Sequence, residues 1–149
     1  AYNENSPDFI YFVTLYNISE DSEYHITSNI TLLQGVLLDA SKGVNVRTSG
    51  IEGADAVNLY IPLSVSALDG MSGKKKRYAG PKEYRVSENK DELWTLEPGN
   101  NCFFVKGRVL KPGNDFQTIN RENDGVYRVT KVDEKDFGGE MSHWEVGGA

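Results

Sequence analysis

Cysteine is nearly absent from this chain of 149 residues. A single Cys102 excludes an internal disulfide and any metal centre built from several thiolates. It sits in the apolar run CFFV, which predicts a small buried core side chain. Histidine is almost as scarce. His25 and His143 lie far apart, and no H-E-x-x-H spacing exists to hold zinc. No apolar run approaches the length that crosses a bilayer as a helix, so no membrane partner is expected. Residues 10–15 are apolar but too short, and too closely preceded by acids, for a signal peptide; synthesis in the cytoplasm is expected. No stretch of a dozen residues carries a 3.6-residue apolar period, which argues against a helical bundle. Phosphate-loop, dinucleotide, G-x-S-x-G and calcium-loop patterns are all missing.

Aromatic residues and glycine are present instead. Eight Tyr, six Phe and two Trp supply large buried areas although hydrophobic residues total only 38%, and fifteen Gly suit a turn-rich all-β chain. Residues 9–16 (FIYFVTLY) are β-branched and aromatic, a strand signal. Residues 24–38 alternate loosely and predict one or two strands with a bend at Gly35. Residues 44–47 predict a short strand. Residues 56–62 (AVNLYIP) alternate with period two and end at Pro62, the pattern of a half-buried strand. Residues 82–86 predict another short strand, and residues 87–93 one helical turn at most. Strands are further predicted over 93–96, 102–109 and 141–146, with a hairpin pairing 116–119 with 126–132 around Asn123-Asp124-Gly125. Eight to ten short strands make a β-sandwich or β-barrel, a single domain over residues 9–149. Residues 1–8 are polar and predict an N-terminal arm.

Charge is unevenly placed around a net of −6. Residues 1–30 hold five acids and no Lys or Arg, whereas residues 64–90 hold seven bases and three acids. The second segment breaks the strand pattern, and residues 63–90 predict a long loop of the kind that carries function. Its centre, Lys74, Lys75, Lys76, Arg77 and Tyr78, is the candidate site. Clustered cations beside an aromatic ring suit an acidic protein surface or nucleic-acid phosphates. Acidic pairs such as Asp91 and Glu92, or Asp133, Glu134 and Asp136, resemble glycosidase carboxylates only as chance neighbours. No catalytic residue, cofactor or metal is expected.

Several segments come in a familiar order: TLYN at 14–17, Gly35-Val36, ADAVNLYIP at 54–62, GPKEY at 80–84, WTLEPGNNCFFVKG at 94–107 and HWEVGG at 143–148. In that order they resemble a family of short structural-module proteins of tailed phages of Gram-positive bacteria, encoded between the capsid and tail genes. The resemblance implies a virion protein of the head–tail connector, and among connector parts the all-β stopper, or head-closure, type. It implies a homo-oligomeric ring of roughly six or twelve copies, contact with the portal or adaptor and the tail terminator, and possible contact with packaged DNA. The neck of the virion is then its location. Competing expectations are a minor capsid or decoration protein and, in another class, a carbohydrate-binding module or host-directed enzyme.

Overall fold

A computed structural model describes residues 12–20, 23–39, 56–136, 138–139 and 142–149. The expected strand at 44–47 and the expected arm at 1–8 lie outside the described residues. Among the described residues the first element is β1 (Phe12–Glu20), followed by its antiparallel partner β2 (Ile26–Gln34); Gly35 makes the turn into β3 (Leu37–Asp39). β4 (Val57–Pro62) and β5 (Ser66–Asp69) follow. β6 (Arg77–Tyr78), the short helix α1 (Pro81–Val86), a 3-10 turn at Lys90–Glu92 and β7 (Leu93–Trp94) come next. The chain closes with β8 (Gly99–Lys106), helix α2 (Phe116–Glu122), β9 (Val126–Lys135) and β10 (His143–Gly148).

Eight strands form one antiparallel sheet in the order β3-β4-β10-β9-β8-β1-β2-β5, curled into a half-barrel. The all-β class expected from residue chemistry is what the chain forms. β1 is central and buried on both faces, which is why its sequence reads as a continuous apolar run. β4 is covered on one face, and its burial alternates at every residue, with Val57, Leu59 and Ile61 inside. β10 lies between β4 and β9, so WEVGG is a central strand.

One face of the sheet holds the larger core. Val13, Leu15, Leu33, Leu59, Ile61, Phe104, Val129, Trp144 and Val146 line it. Trp94 and Leu96 enter it from β7 and the residues just after. Trp94 meets Trp144 edge to face with centroids 5.3 Å apart, and Tyr78 packs on both rings at 5.0 and 4.6 Å. The two-stranded pair β6-β7 thus packs on this core through Tyr78 and Trp94. On the opposite face, Tyr16 stacks on Phe103 at 4.8 Å, and α2 covers them with Phe116 and Ile119.

Three local expectations are corrected. Residues 116–119 are helix, not strand: Asp115 caps the first turn by accepting from Thr118 N at 3.0 Å, and Phe116 and Ile119 fall on one helical face. The 123–125 turn therefore joins α2 to β9, and β9 pairs with β8 and β10 instead. Residues 82–86 also belong to a helix, α1, started by Pro81 in its first turn and buried through Tyr84. Within 87–93 only Lys90–Glu92 turns, as 3-10. The strand expected at 141–146 is displaced to His143–Gly148.

Gly148 sets a steric condition on the sheet centre. A Cβ there would stand 2.8 Å from Phe104 Cζ, 3.0 Å from Tyr127 Cβ and 3.0 Å from Val57 Cγ2. Gly148→Ala should therefore cost about 1–3 kcal/mol by overpacking, read as a lower denaturation midpoint. An unchanged midpoint would mean that the strands part freely here.

Candidate functional site

The basic stretch is folded back on the sheet edge. Asp69 N donates to Lys74 O at 2.7 Å, Lys76 N to Ala67 O at 2.9 Å and Gly73 N to Asp69 O at 2.8 Å. One isolated bridge, Leu68 to Lys75, continues the pairing along the outer side of β5. The tip is held from within: one Asp69 carboxylate oxygen accepts from Met71 N at 3.1 Å, Ser72 N at 2.7 Å and Ser72 Oγ at 3.0 Å. Gly73 completes the turn at φ +75°, a conformation that disfavours any side chain. Residues 63–90, expected as one long loop, therefore contain β5, this hairpin tip, β6 and α1.

The five candidate residues divide by this pairing. Lys74 and Lys75 are exposed at the tip beside Met71, which is 65% exposed. Lys76 points the other way, and its side chain has no exposed surface. Its Nζ donates to Asn29 Oδ1 at 2.6 Å, Thr31 Oγ1 at 2.9 Å and Ile30 O at 3.1 Å, and stands 3.2 Å from Asp69 Oδ1. Arg77 pairs with Glu83 at 2.7 Å in an exposed position, where such a pair adds little stability. Tyr78 is half-buried on the two tryptophans.

Asn29 extends the node around Lys76. Its Nδ2 donates to Lys90 O at 2.7 Å, Leu93 O at 2.9 Å and Tyr84 Oη at 3.0 Å. One amide thus ties β2 to α1, the 3-10 turn and β7. Burial pushes the Lys76 ammonium below its usual value, against the pull of Asp69 and Asp91. Burial raises the Asp69 carboxyl, but hydrogen bonds from Ser72 and Lys76 outweigh it and hold the group below the ordinary value. Beside the tip lies a concavity of about 600 Å³ lined by Ser72, Lys74, Lys75, Asp91, Glu92 and Leu93 among others.

A second concavity, of about 410 Å³, has Asn17, Thr95 and Cys102 in its lining and Arg85 and Glu97 paired at 2.6 Å. Asn17 exchanges hydrogen bonds with the Thr95 backbone at 3.1 and 3.3 Å. Cys102 is buried as expected, and burial pushes its thiol up to about 12, which keeps it protonated and unreactive. His143 sits on β10 within 3.5 Å of Glu145, while His25 lies in the β1–β2 turn near Glu23. Among the described residues no group of three or more His, Cys, Asp or Glu side chains is placed to hold a metal, and no helix is long and apolar enough to cross a membrane.

Sequence reasoning found the cations but not their partners. Asp69 carries a local signal, the Asp-Gly turn; Asn29 carries none, because its role exists only once β2 lies beside the 76–93 segment.

Residues 11–149 match the model of a family described as a family of unknown function (DUF6751). No curated protein and no solved structure matches the chain.

Proposed function

We propose that this chain, which belongs to the family DUF6751, is a structural subunit of a tailed-phage virion, a head–tail connector of the stopper type. In this reading it acts by binding sister copies and neck proteins and converts no substrate. The observation that carries the reading is the preorganised tip. Met71, Lys74 and Lys75 protrude on a hairpin whose base is anchored by a buried Lys76. A rigid protrusion loses little conformational entropy on docking, so an apolar side chain flanked by two cations suits insertion against an acidic protein surface. Ring closure multiplies such weak contacts. The family resemblance supplies the virion context.

Replacing Lys74 and Lys75 together by Glu separates this role from folding. Stability should change by less than about 0.5 kcal/mol, as for exposed sites, while particle assembly or DNA retention fails. Full infectivity of the double variant would remove the tip from the contact. Electron microscopy of intact particles tests the location. About a dozen copies or fewer at the neck is the expected result for a closed ring; hundreds over the capsid would make it a decoration protein.

A further inference from the structure

The node beneath the tip brings together an amine, a carboxamide and a carboxylate. Lys76 Nζ lies 2.6 Å from Asn29 Oδ1 and 3.2 Å from Asp69 Oδ1, and the lysine side chain is wholly out of solvent. These are the nucleophile, the acceptor and the base of an amide exchange. We infer that Lys76 and Asn29 join in an intramolecular isopeptide bond.

The surroundings orient the groups for that reaction. Asn29 Nδ2 donates to Lys90 O, Leu93 O and Tyr84 Oη, which turns the carboxamide oxygen toward Lys76. The carbonyl carbon stands one C=O bond, about 1.2 Å, behind that oxygen. Burial disfavours the ammonium and favours the neutral amine, the form that attacks. The ammonium first gives one proton to solvent, which the departing ammonia takes up again as ammonium. The Nζ lone pair then adds to Asn29 Cγ, and Asp69 takes the second proton that Nζ gives up. Both nitrogens then sit on one tetrahedral carbon, so the carboxylate returns that proton to Nδ2. The Cγ–Nδ2 bond breaks, ammonia leaves, and Asp69 is again ionised. Atoms balance without any oxidant or co-reactant. The concavity of about 600 Å³ that Asp69, Lys76 and Leu93 help to line gives ammonia a way out.

The bond would span 47 positions of chain and clamp the base of the exposed tip to β2. It stands on this geometry alone and does not depend on the proposed virion role.

Intact mass of the full chain under denaturing conditions tests it. The expected mass is about 17 Da, one ammonia, below the sequence mass. A tryptic digest should contain residues 1–42 joined to Lys76-Arg77, because the modified lysine resists cleavage. Lys76→Met and Asp69→Ala should keep the full mass, the second in protein whose circular dichroism shows it folded. Wild-type protein at the sequence mass would leave the ion pair as the final state and overturn the inference. So would the same loss without the branched peptide, which is the mark of a succinimide, or the same loss in Lys76→Met. Loss of ammonia with the branched peptide in Asp69→Ala would overturn the part given to Asp69.

Discussion

Lys76→Met should destabilise the fold by about 3–5 kcal/mol, the cost of breaking a buried ion pair from one side. Methionine roughly fills the volume of the lysine stem, so the loss comes from polar groups and not from a cavity. Asn29 Oδ1, Thr31 Oγ1 and Ile30 O would each lose a donor, and Asp69 would keep a charge with little solvent around it. Where Lys76 is joined to Asn29, the substitution removes that link in place of the ion pair, and the loss keeps its sign. The measurement is chemical denaturation beside Lys75→Met, whose side chain is exposed and whose midpoint should barely move. A loss under about 1 kcal/mol in the Lys76 variant would show that the node contributes no more than a surface pair. Acid gives an independent readout. Asp69 is held below its ordinary value of 3.8. Its contribution is therefore complete above that pH and is lost as pH falls from there through the lower folded value. Asp69→Ala should flatten that limb of the stability curve.

Trp94→Ala should cost about 3–5 kcal/mol, as for a large aromatic removed from a core. Trp94 is 2% exposed and touches both Tyr78 and Trp144. It belongs to the larger core cluster, so its loss leaves a cavity bounded by strands that cannot collapse without breaking their pairing. Because it also holds β6 and β7 against the half-barrel, the near-ultraviolet signal of the remaining tryptophan should weaken along with stability. An intact midpoint would mean that the β6-β7 segment is an appendage rather than a wall of the core. Against a total stability of about 5–15 kcal/mol for a domain, either variant removes a large share.

Strand content was legible because it rests on side-chain shape and on a period of two, both local properties. β4 appeared in the sequence at nearly its final bounds, and the alternation of Val57, Leu59 and Ile61 already named its buried face; β1 was legible as a strand but runs on through residues 17–20, which read as a turn because they are polar. Cys102 was readable as core from its apolar neighbours for the same reason. Short helices were not. α1 and α2 bury only one or two residues each, Tyr84 in the first and Phe116 and Ile119 in the second. So few contacts leave no period to detect, and helix is chosen by what packs against it.

The basic cluster shows the same division at the site. Lys74, Lys75, Lys76 and Arg77 are four similar cations in one run, and composition gives each an equal claim to a partner. Pairing along β5 then turns Lys76 inward while its neighbours stay at the surface. Its counterparts Asn29 and Asp69 lie 47 and 7 positions away, and only the approach of β2 to the folded-back tip makes them a set. Residue chemistry was enough to settle that the chain is sheet and that positive charge gathers near residue 76. Which of those charges faces a partner and which is locked inside was decided by strand register, since a shift of one residue along a strand reverses every side chain.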